Sequence, residues 1–403
     1  MPATEVVLGP MAKGGACVAR LDGRVVFVAG GIPGERVSVE VTDASRDAWW
    51  RGRVIEVIEA SSDRVTPPCP VAGRCGGCDW QHIAPGRQRA LKAELVAEQL
   101  RRLASVDFPT IVEPVPGDAD GLAWRTRMRY LAQGDAVGLR AARSHEVVPL
   151  PPDGCPLAAP GGPSPDGMRE LAGGDGEIAV TVAASGVTVW RPGGGVVQGE
   201  AVVTERAAGR DFRVRADGFW QVHPGAADAL TSAVVDGLAP QPGEVVLDLY
   251  SGVGLFAGAL ASPVEQARQR RGVETSGPVE TAGKQGDVKA VTGIEQSTSA
   301  VALARRNVPE AAFRAGRVEA MIGASGPADV VVLDPPRSGA GRAVVEAVAT
   351  VGARAVAYVA CDEASLARDL ATFAAHGYHL ASMRAFDIFP MTSYVESVAV
   401  LYR

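Results

Sequence analysis

Apolar and polar residues alternate near the N-terminus of the chain, with turn signals between the alternating stretches. The alternation covers residues 24–28, 36–41 and 51–58, and Asp22-Gly23 and Pro33-Gly34 are examples of the turns. This alternation is typical of strands with one buried face, and several short strands joined by tight turns favour a barrel. The pattern predicts a small β-barrel within the first 60 residues.

The pattern changes after the barrel and becomes mixed as far as residue 215. A cysteine-rich loop is followed by an amphipathic spacing that predicts a helix over residues 86–103. Strands are predicted at residues 126–131, 177–182, 187–190 and 212–214. We therefore expect a central α+β domain over residues 61–215.

From residue 216 onward, apolar residues form near-continuous runs separated by helical patterns. The runs lie at residues 245–249, 290–294, 330–333 and 355–360. Buried parallel strands with crossover helices have this pattern. The chain is therefore predicted to be a multidomain α/β protein, with domains at 1–60, 61–215 and 216–403. Residues 263–287 are polar and charged, and we interpret them as a mobile insertion with no chemistry of its own.

Composition and charge add two constraints. The hydrophobic content of 47% is that of an ordinary globular protein, no apolar run approaches a membrane span, and the N-terminus shows no export leader, so we expect a cytoplasmic protein. The net charge of −6 argues against indiscriminate coating of nucleic acid. A local basic face remains possible, because Arg125, Arg127 and Arg129 alternate along one predicted strand, although an ordinary solvated face explains them equally well.

A cofactor site is predicted where the first buried strand of the last domain ends. Gly252 and Gly254 form a tight turn between this strand and a helix, which allows the backbone to approach a ligand at the carboxyl edge of the sheet. The next strand ends at Glu295, which can accept hydrogen bonds from both hydroxyls of a ribose. NAD and S-adenosylmethionine share this requirement, so the turn and the acid leave the choice of cofactor open.

A carboxyl and a thiol follow the next two buried strands. Asp334 ends one strand ahead of two prolines, and Cys361 ends the following one. A cysteine at a strand end is usually a small buried apolar residue. Its position beside the cofactor loop favours a nucleophile in this chain.

The chain has six cysteines, and a cytoplasmic protein does not use them as a disulfide framework. Four are candidates for one metal site: Cys69, Cys75, Cys78 and Cys155. Closely spaced thiolates with flanking glycine and proline suit zinc or an iron–sulfur cluster, and the spacing does not decide between them. Cys17 has no predicted role.

Four motifs, in this order and spacing, resemble the bacterial RNA 5-methyluridine methyltransferases, which act on tRNA or 23S rRNA. They are the glycine turn, DPPRSG at residues 334–339, CDEASLARDL at 361–370 and FPMTSYVESVAVL at 389–401. The N-terminal segment resembles the TRAM domain, a small RNA-binding β-barrel. The resemblance spans essentially the whole chain. It implies a Rossmann-like class I methyltransferase domain, an RNA partner, S-adenosylmethionine as cosubstrate and no obligate protein partner.

The resemblance also implies roles for individual residues. Cys361 is the nucleophile that adds to C6 of a uracil, and Glu396 is the base that removes the C5 proton. The cofactor- and substrate-site positions are Gln221, Tyr250, Gly252, Gly254, Glu295 and Asp334. The four cysteines Cys69, Cys75, Cys78 and Cys155 become the ligands of a 4Fe–4S cluster. Glu363, where relatives commonly carry proline, and Leu255, where some carry asparagine, depart from the family pattern, which leaves the identity of the modified RNA more open than the chemistry.

Three alternatives share parts of this pattern. A TRAM-containing radical enzyme would also combine a cluster with S-adenosylmethionine, but such enzymes typically use C-x3-C-x2-C and leave one iron open. A catalytically inactive RNA-binding protein would have no need of Cys361, Glu396 and Gln221. Methylation of another base, such as C5 of cytidine, would use similar thiol chemistry.

Overall fold

The computed structural model describes residues 3–118, 120–261 and 288–403. The predicted insertion at 263–287 lies outside these residues. The N-terminal region forms a five-stranded sheet in the order β1-β4-β5-β3-β2. Its strands are β1 (Thr4–Val7), β2 (Cys17–Leu21), β3 (Arg24–Ala29), β4 (Arg36–Asp43) and β5 (Trp49–Glu59). Alternate residues such as Val26, Val28, Val37 and Val39 are fully buried, so the predicted alternation is confirmed.

The middle of the chain forms a helix and a second, antiparallel sheet. Helix α1 (Pro85–Gln99) continues into a π-helical turn (Leu100–Ala104), which agrees with the helix predicted from the sequence. The sheet has six strands in the order β12-β11-β10-β7-β8-β9. Its elements are β7 (Arg127–Gln133), β8 (Ala136–Arg140), β9 (Val147–Pro149), α2 (Pro165–Ala172), β10 (Gly176–Ala183), β11 (Gly186–Arg191) and β12 (Gly195–Gln198). The hairpin of β13 (Val202–Ala207) and β14 (Arg210–Arg215) follows.

The C-terminal sheet has eight strands in the order β17-β16-β15-β18-β19-β21-β20-β6. Its strands are β15 (Val245–Leu249), β16 (Ala290–Glu295), β17 (Ala312–Ala315), β18 (Val330–Leu333), β19 (Ala355–Ala360), β20 (His379–Asp387) and β21 (Glu396–Tyr402), with β6 (Val112–Pro114) at one edge. The helices are α3 (Ala226–Leu238), α4 (Leu255–Ala261), α5 (Thr298–Asn307), α6 (Val318–Met321), α7 (Arg342–Val351) and α8 (Glu363–Ala375), with a 3-10 turn at Ile322–Ser325. β15 to β19 are parallel, and β21 runs antiparallel to β19.

Both faces of this sheet are covered, which explains why its strands have near-continuous apolar sequences. Val330 and Val332 belong to the core on one face, together with α3, α4 and α5, whereas Val331 and Leu333 belong to the core beneath α7 and α8. All four side chains are completely buried. β18 is entirely apolar, and Asp334 directly follows its last residue.

One strand of the C-terminal sheet comes from the central part of the chain. β6 pairs in parallel with β20, so that Val112 lies opposite Ala385. The domain boundaries near residues 60 and 215 therefore remain a prediction. No helix in the described part of the chain is long and apolar enough to cross a membrane.

A buried ion pair ties α1 to the C-terminal sheet. Lys92 is fully buried, and its Nζ lies 2.5 Å from Oδ1 of the buried Asp387 and 3.1 Å from the carbonyl oxygen of Phe389. Two charges removed from water are tolerated only as a pair. Lys92 thereby joins α1 to the end of β20, from which the loop of residues 388–395 continues towards β21.

Replacing Lys92 by methionine is expected to lower the free energy of unfolding by about 3–5 kcal/mol, because the Asp387 carboxylate would stay buried without its partner. Urea denaturation followed by circular dichroism measures the change. Lys289→Met removes an exposed lysine and serves as the matched control. Equal stability of the two variants would show that the buried pair does not hold α1 against the sheet.

Candidate active site

A cavity of about 1010 Å³ opens where the parallel strands of the C-terminal sheet end. Its wall contains most of the residues predicted for catalysis and cofactor binding: Gln221, Tyr250, Gly252, Glu295, Asp334, Cys361 and Glu396. Gly254 lies outside the wall. The predicted cofactor-binding turn and the predicted nucleophile therefore lie in the wall of one cavity.

The turn after β15 has an unusual backbone. Tyr250 has a φ of +62° although it is not glycine, and Gly252 and Gly254 have φ values of +53° and +93°. A Cβ on Gly252 would meet nothing within 4 Å, whereas a Cβ on Gly254 would lie 3.1 Å from the ring of Phe313. Gly252 thus presents open backbone to the cavity, and Gly254 is required for packing behind it. A strained non-glycine residue such as Tyr250 is typical of functional sites.

Two carboxyl groups organise this turn. Glu295 accepts hydrogen bonds from the backbone N–H of Gly252 (3.1 Å) and of Ser297 (2.7 Å), which fixes its carboxylate at the cavity wall. Its remaining lone pairs can accept hydroxyl donors from a ligand. Asp248, which the sequence analysis missed, is fully buried and accepts from the N–H of Ala257 at 2.8 Å. Burial raises the pKa of Asp248 well above its usual value.

Cys361 lies between the end of β19 and the start of α8. The thiol is partly buried, and burial together with the charge of Glu396 raises its pKa to about 11. The Arg337 guanidinium, which lies beside the thiol, lowers this pKa through its charge and a hydrogen bond. Arg337 also stacks on Tyr394, 4.3 Å from the ring centroid. The arrangement provides a cationic partner for a thiolate, which a reactive cysteine requires.

The loop that carries Arg337 is held by helix α8. Oδ2 of Asp369 accepts hydrogen bonds from the backbone N–H of Ala340 (2.8 Å) and from the hydroxyl of Tyr358 (2.6 Å). Oγ of Ser365 donates to the carbonyl oxygen of Arg337 at 2.9 Å. These two side chains therefore hold the backbone of the loop from which the Arg337 side chain extends. Sequence reasoning missed them, although both belong to the 361–370 motif.

Asp334 and Glu396 bring two carboxyl groups to the same wall as the thiol. Glu396 is 4% exposed at the start of β21, and burial and the charge of Asp334 raise its pKa well above the usual value. Burial raises the pKa of Asp334 to about 7. Two neighbouring carboxyls resist simultaneous ionisation, because the charge on one disfavours the charge on the other. Such a pair can accept and release protons during a reaction.

Aromatic side chains form the rest of the wall. Phe219 is 74% exposed at the cavity, next to the buried Trp220 and Gln221 in the connection from β14 to α3. Phe389 and Tyr394 face the cavity from the loop that precedes β21, with ring centroids 6.2 Å apart. Flat aromatic walls with a few polar groups suit heterocyclic ligands.

The four remaining site cysteines surround a second, small cavity. Its wall contains Cys69, Cys75, Cys78 and Cys155, and Gly77 lines both this cavity and the larger one. Nε2 of Gln81 donates to Sγ of Cys78 at 3.0 Å, and the N–H of Gly77 donates to Sγ of Cys75 at 3.4 Å. Burial and the neighbouring thiols raise the pKa of Cys78 to about 12.

The predicted metal site is therefore only partly formed. Four thiols and their N–H donors face one cavity, a donor set that fits an iron–sulfur cluster. As the side chains stand, however, no group of three or more histidine, cysteine, aspartate or glutamate residues is placed to hold a metal ion within the described residues. The arrangement of the cysteine side chains therefore does not support the 4Fe–4S assignment.

Asp334→Asn should reduce the loss of stability that accompanies a rise from acid to neutral pH. A carboxyl whose pKa is higher in the folded than in the unfolded chain binds more protons when folded, so stability falls as the pH rises from about 4 to about 7. The variant lacks this titration, and its thermal midpoint should decrease less than that of the parent between about pH 4.5 and about pH 8. Asp135→Asn, at an exposed position, is the control. An unchanged pH dependence in Asp334→Asn would rule out the raised pKa.

The chain is similar to known RNA methyltransferases over most of its length. A family model for tRNA (uracil-5-)-methyltransferases matches residues 202–403, and a TRAM domain model matches residues 5–55. An uncharacterised RNA methyltransferase of Streptomyces avermitilis is 44% identical and aligns with 98% of this chain and 97% of its own length. One from Bifidobacterium longum is 37% identical and aligns with 100% of this chain and 97% of its own length.

A solved structure has the same fold over the whole length. The tRNA (uracil-54, C5)-methyltransferase of Pyrococcus abyssi, crystallised with S-adenosyl-L-homocysteine, superposes with a TM-score of 0.72 at 21% identity and covers 99% of this chain and 100% of its own. The expected multidomain α/β fold, with an N-terminal TRAM domain and a C-terminal class I methyltransferase domain, is confirmed. The chain belongs to the tRNA (uracil-5-)-methyltransferase family, a family of S-adenosylmethionine-dependent RNA methyltransferases.

Proposed function

We propose that the protein transfers a methyl group from S-adenosylmethionine to C5 of a specific uridine in tRNA or 23S rRNA. Cys361 acts as the nucleophile and Glu396 as the base. The observation that carries the proposal is one cavity whose wall combines the thiol, two carboxyls of raised pKa and the carboxylate of Glu295. Family membership supports the same reaction.

The cofactor half of the cavity is assigned to the turn after β15. Glu295 accepts hydrogen bonds from the ribose hydroxyls, and Gly252 leaves the space for the ligand to approach. Gln221 and Tyr250 line the same region. S-adenosylmethionine, once bound, supplies a methyl group on a sulfonium. The bound S-adenosyl-L-homocysteine of the Pyrococcus abyssi relative supports this assignment.

The uracil half of the cavity performs the chemistry. Cys361 loses its proton with the help of the Arg337 charge, and its sulfur adds to C6 of the uracil, which moves an electron pair towards C5 and O4. C5 of this enolate then attacks the methyl group, the bond between that methyl group and the sulfonium sulfur breaks, and S-adenosyl-L-homocysteine is the leaving group. Glu396 removes the proton from C5, the electron pair re-forms the C5–C6 double bond, and the thiolate leaves. The net change replaces one hydrogen by a methyl group and releases one proton.

RNA binding is assigned to the TRAM domain as well as to the cavity. The guanidinium of Arg51 lies 4.7 Å from the ring centroid of Trp49, which forms a mixed aromatic and cationic surface suited to nucleotides. Arg51 is also paired with Asp43 (3.5 Å), and Arg53 with Glu40 (2.7 Å). Phosphate contacts of these arginines would therefore replace existing ion pairs. The target base must leave its stack to reach Cys361.

RNA containing 5-fluorouridine should become covalently attached to the protein in the presence of S-adenosylmethionine. Fluorine at C5 cannot leave as a cation, so the adduct between Cys361 and C6 persists and migrates slowly on a denaturing gel. Cys361→Ser should form no adduct and should methylate ordinary RNA at a rate lower by roughly three orders of magnitude or more. Cys17→Ser changes a cysteine outside both cavities and should behave like the parent.

The same experiment separates the rival activities. Trapping of 5-fluorocytidine RNA in place of 5-fluorouridine RNA would assign the enzyme to cytidine. RNA binding without methylation or adduct formation would indicate an inactive scaffold. Parallel reactions with tRNA and 23S rRNA identify the substrate.

We also propose that Cys69, Cys75, Cys78 and Cys155 hold a 4Fe–4S cluster with a structural role. The loop that follows Cys78 supports the substrate cavity, because the backbone N–H groups of Asp79 and Trp80 both donate to the carbonyl oxygen of Met391 at 3.0 Å. Methyl transfer requires no electrons, so the cluster has no redox task in the reaction. A cluster here would fix the position of the loop of residues 388–395.

Cys78→Ser should therefore lose iron and acid-labile sulfide and should methylate RNA more slowly than Cys17→Ser, which carries the same substitution elsewhere. The physical reason is that three thiolates hold a cluster less firmly than four. Iron and sulfide analysis of protein purified without oxygen measures the loading. A colourless parent protein that contains one zinc would contradict the cluster.

A further inference from the structure

The loop between β1 and β2 leaves the TRAM sheet and lies against the catalytic domain. Nζ of Lys13 is 2.5 Å from Oδ2 of Asp362 and 4.0 Å from Oε1 of Glu363. The carbonyl oxygen of Gly15 accepts a hydrogen bond from Nε1 of Trp80 at 3.1 Å. A Cβ on Gly15 would lie 3.0 Å from Cβ of Ser393, so the fit is close. The TRAM loop therefore touches the residues that follow the nucleophile and the loop that precedes Glu396.

The ion pair of Lys13 continues into the network around Cys361. Oδ1 of Asp362 accepts from the backbone N–H of Ser365 at 2.8 Å and so caps α8. Oγ of Ser365 in turn donates to the carbonyl oxygen of Arg337. Contacts thus run from a TRAM lysine to the backbone of Arg337, the residue whose guanidinium lies beside the thiol.

The charges of Lys13 and Asp362 bear on the ionisation of the neighbouring Cys361. Asp362 and Glu363 directly follow Cys361, and an unbalanced carboxylate at that point would disfavour a thiolate. Burial tends to raise the pKa of Asp362, but its hydrogen bond from Lys13 lowers it, and the pKa lies below the usual value. Asp362 is consequently charged near neutral pH and depends on the Lys13 ammonium for balance.

We propose that Lys13 is a positioning residue for Cys361, so that the TRAM domain contributes to the chemical step as well as to RNA binding. By holding and neutralising Asp362, Lys13 keeps the nucleophile, the cap of α8 and Arg337 in their reactive arrangement. The inference rests on the proposed role of Cys361. A competing role for this half-exposed ammonium is direct contact with an RNA phosphate, and the experiment distinguishes the two.

The full-length protein is tested as Lys13→Met, Lys13→Arg and Lys13→Met/Asp362→Asn. Alkylation of Cys361 by iodoacetamide, followed by peptide mass spectrometry, reports the thiolate without RNA. In Lys13→Met we expect alkylation and single-turnover methylation to slow by roughly fivefold, the upper end for a partly exposed ion pair, with RNA affinity within about twofold of the parent. Lys13→Arg keeps the charge and should stay near the parent.

The double variant removes both charges together and should recover alkylation to within about twofold of the parent, because Asn still caps the helix. Arg36→Met removes a TRAM ion pair with Glu59 that lies away from Cys361, and it should leave alkylation unchanged. Loss of RNA affinity with unchanged alkylation would overturn the proposal in favour of a phosphate contact. Unchanged alkylation and methylation in Lys13→Met would also overturn it.

Failure of the proposed function gives a different result. If Cys361 were not the nucleophile, Cys361→Ser would methylate RNA like the parent, whereas the alkylation rates of the Lys13 variants would still measure the contact. Thermal midpoints of all variants identify any that fail to fold. If Lys13→Met fails to fold, Asp362→Asn alone is tested in its place, because Asn keeps the acceptor that caps α8. This variant should speed alkylation, because it removes a negative charge beside the thiol.

Discussion

Parallel hydrogen bonding between β15, β16, β18 and β19 is the constraint on which the site depends. Because these strands run in the same direction in fixed register, the residues at their carboxyl ends must meet at one edge of the sheet. That edge receives Glu295, Asp334 and Cys361 from positions far apart in the sequence. The apolar strands hold this arrangement because both faces of the sheet are covered.

The site concentrates groups that are costly to bury together. The Cys361 thiol lies near the Asp334 and Glu396 carboxyls and the Arg337 guanidinium, and burial raises the pKa values of Cys361, Asp334 and Glu396. Arg337 is the group that favours the ionised thiol, so its position must be well defined. Asp369 and Ser365, both in helix α8, hold the loop that carries Arg337. The ion pair between Lys13 and Asp362 connects this helix to the TRAM domain.

Sequence reasoning succeeded where periodicity or strand ends carry the information. Period-two alternation identified β3 and β4, and uninterrupted apolar runs identified β18 and β19. Both active-site motifs were recognisable because they directly follow buried strands. The glycine turn was also recognised, but only the structure separates Gly252, which faces the cavity, from Gly254, which packs against Phe313.

The missed features depend on contacts between distant parts of the chain. Nothing in the local pattern around Lys92 or Lys13 indicates that each reaches a distant carboxylate. Lys92 pairs with a residue 295 positions away, and Lys13 with one 349 positions away. β6 has three residues and acquires its place only by pairing with β20. The four cysteines lie around one cavity, but spacing could not specify how their sulfur atoms are arranged, and no metal-holding group is formed among the described residues.

The central claim is that a thiol bonds transiently to a pyrimidine so that C5 can exchange its hydrogen for a methyl group. RNA labelled with tritium at C5 of uridine, incubated with the protein and S-adenosylmethionine, tests it most directly. The account predicts that tritium appears in water in the same amount as methyl groups appear in RNA. Methyl transfer with all tritium retained in the RNA would contradict it.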